Sequence, residues 1–410
     1  MSDVELRPVG LAELPGFYRT LVETFGEDPR DDDRERLATL FEPDRTLAGF
    51  DGDAIVSTTM IYSRRMTLPG GPRPVAGVTM VAVLPTHRRR GLLTEMMRRQ
   101  LTDLYEARRE PVAALWASEG GIYGRYGYGT AARQAVLTVD KTLVRMRSDV
   151  PLGSGQVSLT PVEQARPHEE AVYESVRLRN VGFLDRTERW WDRTLHDAEH
   201  TRGGATARKH VLHREQDGSV TGYATYRLKD EWTPARNDSE VQVGDVFATT
   251  PVAYATLWAY LAGIDLHPRL SRRMSPLDEP LQHLLVDQRA ARAEVYDSLW
   301  VRLADLERAL ADRAYSAPVD LVLEVTDDFC PWNAGRWRLS ADGSGARCER
   351  TTDGADLELS ATDLAAAFLG AAVLPSLVAA GRIVQRRPGA GSAAHRAFAV
   401  ERPPWCPEVF

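Results

Sequence analysis

The sequence predicts a mixed α/β protein made of two similar halves and a smaller α+β unit at its end. Three observations predict this. Strand and helix signals alternate through the first segment in the order β–β–β–α–β, the order of a mixed sheet with packed helices. Residues 241–265 repeat the strand–proline–helix layout of residues 75–97. From about residue 298, several short alternating segments precede two helix candidates. At 410 residues the chain is too long for one ordinary core.

The elements follow in order. "LAELPGFYRTLVETFG" (11–26) has the apolar spacing of a helix facing a core. "RTLAGFDGDAIVSTTMIYSRRMTLPGG" (45–71) reads as two strands turning at Asp51–Gly52. "PVAGVTMVAVLP" (74–85) is a further strand, ended by Pro85. "GLLTEMMRRQLTDLYEARRE" (91–110) carries apolar residues at 92, 93, 96, 97, 101 and 104, an amphipathic helix. "PVAALWAS" (111–118) is a short apolar strand, and "EGGIYGRYGYG" (119–129) is glycine-rich. In 241–265 the scaffold returns with "VAYAT" (Val252–Thr256) where the first copy has its arginine-rich turn. Residues from about 146 to 295 are therefore expected to be a second, degenerate copy. The third segment starts near "SLWVRLADLERAL" (298–310) and continues as a run of antiparallel strands. The helix candidates "SATDLAAAFLG" (360–370) and "GSAAHRAFAV" (391–400) come next. Pro403, Pro404 and Pro407 forbid a regular helix in the tail "ERPPWCPEVF" (401–410), which should be extended and tucked in by its aromatic residues. The expected domains are 1–145, 146–297 and 298–410.

Composition excludes several classes. The chain is 43% hydrophobic and 27% charged, with a formal net charge of −7. That acidic balance argues against nucleic acid as a partner. No apolar run is long enough to span a membrane, and "MSDVELRPVG" has neither the basic nor the apolar region of a secretory signal. Cys330, Cys348 and Cys406 are odd in number and widely spaced, so neither a disulfide framework nor a metal site is expected. A cytoplasmic location follows from these readings.

The chemistry concentrates in "VAVLPTHRRRGLL" (81–93). A helix N-terminus exposes unpaired N–H groups and the positive end of the helix dipole, an anion site. Gly91 lets a ligand approach the backbone, and Arg88, Arg89 and Arg90 add formal charge. Pro85 ends the strand, which frees its edge. A ligand with a pyrophosphate at one end and an amide-bearing arm that pairs along a strand would fit. Coenzyme A has that shape.

These residues resemble motif A of the GNAT acyl-CoA N-acetyltransferases. Arg88 and Gly91 match its turn, while Leu93 stands where glycine or alanine is usual. With "PVAALWASEGGIYGRYGYG" (111–129), the second copy and the aromatic C-terminus, the whole chain resembles the Eis (enhanced intracellular survival) family of amine acetyltransferases. The resemblance implies two tandem GNAT-like domains, the second without a cofactor, and a sterol-carrier-like C-terminal domain. It implies acetyl-CoA as cosubstrate, bound by Val81, Ala82, Val83, Arg88 through Thr94 (Arg89, Arg90, Gly91, Leu92 and Leu93 between them), Ser118 and Glu119. It implies Tyr123 as general acid, with Tyr126 and Tyr128 as rivals, and the α-carboxylate of Phe410 as general base. The substrate walls would be Phe25, Glu27, Asp28, Met80, Trp116 and Glu408. A homohexamer is implied by resemblance alone. The expected reaction is acetyl transfer to amines of small polycations such as aminoglycosides. The alternatives are a protein lysine or N-terminal acetyltransferase, and a non-enzymatic lipid-binding scaffold.

Overall fold

The computed structural model describes residues 4–410. Residues 1–3, the start of the stretch expected to lack a secretory signal, lie outside the described residues. In chain order, β1 (Glu5–Arg7) leads to α1 (Leu14–Phe25), α2 (Asp31–Leu40), β2 (Thr46–Asp51), β3 (Ala54–Leu68) and β4 (Gly71–Val83). Next come α3 (Leu92–Ala107), β5 (Val112–Trp116), β6 (Gly129–Thr130), β7 (Arg133–Asp140) and β8 (Gln156–Thr160). They are followed by α4 (Val162–Arg177), α5 (Glu188–Leu195), β9 (Lys209–Arg214), β10 (Val220–Lys229) and a short hairpin of β11 (Trp232–Thr233) and β12 (Arg236–Asn237). Then β13 (Glu240–Ala248), α6 (Pro251–Ala262), β14 (Arg269–Ser275), α7 (Leu281–Leu284), β15 (Ala291–Asp297) and β16 (Leu299–Leu303) follow. The rest is α8 (Leu306–Ala311), β17 (Val319–Thr326), β18 (Gly335–Asp342), β19 (Gly345–Arg350), β20 (Leu357–Ser360), α9 (Ala361–Phe368), α10 (Leu374–Ala379), β21 (Val384–Gln385) and α11 (Ala390–Phe398).

The chain forms two compact units. One comprises residues up to 132, 297–404 and 409–410; the other comprises 133–296 and 405–408. In the first unit a seven-stranded sheet runs β1-β2-β3-β4-β5-β16-β6. α1 shows why such segments fold locally. Pro15 occupies the first turn, where its missing N–H costs nothing. Leu14, Phe17, Tyr18 and Val22 are buried, and Phe17 meets Phe41 edge-on at 5.5 Å. The helix stops at Gly26, in the left-handed region at φ 70°, and the Glu27 N–H returns to the Val22 carbonyl at 2.9 Å. The same unit holds a five-stranded sheet, β19-β18-β17-β20-β21. The expected antiparallel run is broken there, because β20 pairs parallel to β17 from Leu323↔Leu357 to Thr326↔Ser360.

Sheet membership departs from the expected domain limits. β7 lies in the second sheet, β15-β7-β14-β13-β10-β9-β8, where Asp140 through Leu137 pair with Arg269 through Arg272. The expected limit at 145/146 therefore falls after a strand that already belongs to the second sheet. β16, placed by sequence at the head of the third segment, joins the first sheet. It pairs with β5 from Leu299↔Trp116 to Leu303↔Val112 on one side and with β6 on the other. Leu299, Val301 and Leu303 are at most 1% exposed, which is what a strand with neighbours on both edges requires.

The hairpin at Asp51–Gly52 is present, with Gly52 at φ 61°. "VAYAT" is a correction: Val252–Thr256 lie inside α6, and the turn of the second copy is Thr249–Thr250 just before it. The tail carries no regular element from residue 399 onward, as its prolines dictate. Trp405 and Cys406 are buried, and Trp405 packs on Phe183 at 5.2 Å within the second unit.

Candidate active site

β4 builds the site. It pairs with β3 along its length, but with β5 only at Ala76↔Ala113 and Gly77↔Ala114. Past Gly77 the two parallel strands part, and the β4 edge that faced β5 is released. A bulge coincides with this. Thr58 pairs with Ala82 but Met60 pairs with Thr79, so β4 carries an extra residue at Met80–Val81. Met80 sits at φ 52°, a left-handed conformation that costs a side-chain-bearing residue about 1–2 kcal/mol. The Thr58 hydroxyl donates to the Met80 carbonyl at 2.8 Å and helps to hold it there.

Beyond Pro85 the chain makes a short 3-10 turn, Pro85–His87. It then passes through Arg89 at φ 61° and Gly91 at φ 87° into α3. No side chain caps α3, and its first internal bond is Glu95 N–H to the Gly91 carbonyl at 3.0 Å. The preceding amides, Leu92 to Thr94, thus point out of the helix end. Arg88, Arg89 and Arg90 are exposed. The Arg88 side chain reaches the Val83 carbonyl at 3.3 Å. Among the described residues, no carboxylate pairs with any of the three. Open space surrounds Gly91, so the glycine is required there by its positive φ.

Phe410 closes the other end of the released strand. The Thr79 hydroxyl donates to its main-chain oxygen at 3.0 Å. Its ring lies on Gly77, where a Cβ would stand 3.1 Å from a ring carbon. Phe410 is 7% exposed. Sequence reasoning missed both Thr79 and Gly77. A glycine in the middle of an apolar strand was the available signal, since it marks a close approach.

Tyr123 follows β5 in the glycine-rich loop. It is buried, and that burial, with the neighbouring Tyr126, pushes its hydroxyl up to about 12. It belongs to the core that includes Ile61, Val78, Met97 and Leu115. Tyr128 meets it edge-on at 5.8 Å. The Tyr126 hydroxyl bonds Thr94 Oγ1 at 3.2 Å, which ties the loop to the first turn of α3. Burial is the main cause raising the Tyr128 hydroxyl too, against a lowering pull from Arg302.

The remaining candidates are less gathered. Trp116 ends β5 half-buried, and Ser118 and Glu119 are exposed just after it. Phe25, at the end of α1, is 51% exposed, and Glu27 and Asp28 are exposed in the connection to α2. Among the described residues, no hydrogen bond or ring contact joins these three to Tyr123 or Phe410. Glu408 belongs to the second unit, where Arg186 Nε donates to it at 2.8 Å. His87, in the turn, bonds Asp51 at 3.1 Å.

The second unit repeats the strand and its bulge. Ala224 pairs with Val246 but Tyr226 with Val243, so β13 is bulged at Gly244–Asp245. Asp245 there accepts from Arg186 at 3.2 Å and from the Tyr223 hydroxyl at 3.1 Å. The link from the bulge to the helix is shorter, Val246 to Pro251 against Ala82 to Leu92. Thr250 caps α6 by accepting the Ala253 N–H at 3.2 Å. That helix end has no arginine turn and offers fewer free amides.

Comparison with known proteins agrees with this geometry. Models of the acetyltransferase (GNAT) domain match residues 5–131 and 182–303, and a sterol carrier protein domain matches 306–407. An uncharacterized N-acetyltransferase of Streptomyces avermitilis is 46% identical over 398 residues, covering 96% of each chain. The N-acetyltransferase Eis of Mycobacterium tuberculosis is 35% identical over 387 residues, covering 90% of each. The crystal structure of Eis1 from Mycobacterium abscessus superposes with a TM-score of 0.86 at 30% identity, over 99% of this chain and 100% of that one. The GNAT match implies acetyl-CoA as cosubstrate, and an uncapped helix end beside unpaired arginines suits its pyrophosphate. With a bulged, released strand leading to that helix, and with relatives of this identity along nearly its whole length, the chain belongs to the Eis family of N-acetyltransferases.

Proposed function

We propose that the chain transfers the acetyl group of acetyl-CoA to an amine of a small polycation such as an aminoglycoside, at the released end of β4. One observation carries the reading: the Phe410 main-chain oxygen is fixed to Thr79 beside the bulge that opens the strand. The amides of Leu92 to Thr94, with Arg88, Arg89 and Arg90, take the pyrophosphate. Val81, Ala82 and Val83 hold the amide arm, and Ser118 and Glu119 flank it. The Phe410 carboxylate takes the proton of the substrate ammonium. The freed amine attacks the thioester carbon and the C–N bond forms; the C–S bond breaks, and the second proton shed by the nitrogen as it becomes an amide makes good the one that Tyr123 gives. Tyr123 supplies a hydrogen bond, and then a proton, to the leaving thiolate. Burial raises the Tyr123 hydroxyl to about 12, so at neutral pH it holds its proton and is available as a donor to the departing sulfur.

Phe25, Glu27, Asp28, Met80 and Trp116 are proposed as substrate walls. The exposed acidic stretch from Glu27 to Asp32 supports a cationic substrate. Glu408 is engaged by Arg186, and as a wall residue it would have to share that partner. The reading includes a cytoplasmic enzyme without a metal, assembled as a homohexamer. Among the described residues, no helix is long and apolar enough to cross a membrane. The three-part division in chain order stays as part of the reading, with β7 belonging to the second sheet and β16 to the first.

The test is release of free thiol from acetyl-CoA against aminoglycosides, polyamines and lysine peptides. Turnover with the small polycations above that with peptides is expected. Turnover only with peptides would favour a protein acetyltransferase, and none with any amine would overturn the reading.

A further inference from the structure

The loop that carries Tyr123 is held by β16 and by the C-terminal segment. Its backbone is a tight turn: Tyr126 N–H bonds the Tyr123 carbonyl at 3.0 Å, Gly127 N–H the Gly124 carbonyl at 3.0 Å, and Tyr128 N–H the Tyr123 carbonyl at 3.3 Å. A displacement of Gly127 or Gly124 is therefore passed to Tyr123. Two groups press on this turn.

The first is an ion pair with no water access. Arg302, on β16, is 0% exposed, and its guanidinium donates to Asp327 Oδ2 at 2.5 Å. Asp327 follows β17 in the C-terminal segment. Its carboxylate also accepts from the Cys330 N–H at 2.9 Å and from Asn333 at 3.3 Å. Asn333 in turn grips the Leu306 N–H at 3.0 Å and the Leu303 carbonyl at 2.9 Å. The guanidinium lies directly on the loop, and a Cβ on Gly127 would stand 2.5 Å from its terminal nitrogen. Gly127 is at φ 83°, so only glycine combines that conformation with that contact. Among the described residues, Arg302 Nε and Nη1 and the Tyr128 hydroxyl have no nitrogen or oxygen partner, and the Cys330 thiol stands against the guanidinium. A buried ion pair of this kind contributes little net stability, and its contact with Gly127 gives it a role in fixing the turn.

The second group is α9, also in the C-terminal segment. The Thr362 hydroxyl donates to the Gly124 carbonyl at 3.2 Å. The α9 backbone at Thr362 and Ala366 lies so close to Gly129 that no side chain fits there. The loop is thus pinned at Gly124, Gly127 and Gly129, on either side of Tyr126 and within six residues of Tyr123.

We propose that the Arg302–Asp327 pair and Thr362 form a positioning clamp, through which the sterol-carrier-like segment sets the place of the Tyr123 hydroxyl for acetyl transfer. The C-terminal segment then works as part of the acetyltransferase site, in addition to any ligand it carries. The proposal rests on Tyr123 being the general acid. The clamp residues do not touch the reacting atoms; they act through the loop.

The experiment is a double-mutant comparison in the full-length chain. Thr362→Val removes one hydroxyl on a half-buried residue, and Asp327→Asn keeps the shape while removing the charge. Arg302→Lys keeps the charge and loses the planar fork. Each is measured alone and in a Tyr123→Phe background for kcat, for acetyl-CoA KM and by thermal melting. The expected result is a kcat lower by about 3- to 30-fold, with acetyl-CoA KM within about twofold, since mispositioning a catalytic group is costly. In the Tyr123→Phe background the same changes should alter kcat by less than about twofold, because the hydroxyl they position is gone. If Arg302→Lys fails to fold, Thr362→Val decides. Equal losses in both backgrounds, or unchanged kcat in the single variants while Tyr123→Phe lowers it, would overturn the clamp and leave the acid role standing. An unchanged kcat in Tyr123→Phe itself would overturn the acid role, and with it the clamp.

Discussion

Two strand–helix junctions in this chain share a strand bulge and differ in everything that follows it. At β4–α3, the link is long, the helix end is uncapped behind Gly91, and three exposed arginines have no carboxylate partner among the described residues. At β13–α6, the link is short, and Thr250 and Pro251 fill the helix end from within. The bulged residues diverge in the same sense. Met80 and Val81 face a released edge, whereas Asp245 is locked by Arg186 and Tyr223. The lesson is physical. A helix N-terminus becomes an anion site only when its amides are left unsatisfied and charge is added without counter-charge. The same scaffold with a side-chain cap is an ordinary folded junction.

That contrast can be broken most severely at the end of β4. Extending the chain beyond Phe410 replaces its carboxylate with an amide, and a catalytic group displaced by about 1 Å can already cost on the order of a hundredfold. A C-terminal extension should therefore lower kcat by at least about a hundredfold relative to the same extension at the N-terminus, while acetyl-CoA still binds. Equal turnover numbers would remove the carboxylate from the mechanism. Tyr123→Phe comes next, with an expected loss of about 10²-fold in kcat and little change in acetyl-CoA KM. A proportional change in KM would instead assign the ring to cofactor binding.

Arg89→Glu puts negative charge at the turn. A roughly tenfold or greater rise in acetyl-CoA KM is expected at low salt, shrinking as salt is added. Charge reversal at Arg236, exposed in the second unit, should leave KM unchanged. Titration calorimetry should count one acetyl-CoA per chain, and two would refute the capped-junction account of 241–265.

The smallest effects concern stability. Thr250→Ala should lower the stability of its unit by about 1 kcal/mol without touching KM. Gly91→Ala forces a side chain into φ 87°, at a cost of about 1–2 kcal/mol. The raised Tyr123 hydroxyl gives a pH signature as well. Its folded value, about 12, exceeds the ordinary value, so the folded state holds the proton longer than the unfolded chain does. Its contribution is complete below about pH 10 and is lost as pH rises from about 10 towards 12. Tyr123→Phe should flatten that alkaline loss in pH-dependent melts.

Local signals made much of this legible. The periodicity of 92–104, the proline at 85 and the Arg-Arg-Arg-Gly turn placed an arginine-rich turn at a helix N-terminus, and α3 begins one residue after Gly91. Repetition of the strand–proline–helix layout located the second copy, and the prolines of the tail excluded a helix there. The acidic stretch after α1 was visible as charge, but no sequence signal fixed where Phe25, Glu27 and Asp28 stand relative to Tyr123.

Sequence by itself determined those features that a few neighbouring residues enforce: helix faces, turn glycines, and the missing arginines of the second copy. Tertiary structure alone decided which strands share a sheet. β16 enters the first sheet and β7 the second, because hydrogen-bonding edges and apolar faces are matched across more than 100 residues of chain. It also decided that Phe410 rests on Gly77 and Thr79, and that Arg302 presses on Gly127. No local pattern encodes such contacts. They arise when a buried charge or an aromatic ring must find its partner wherever the packed core leaves one.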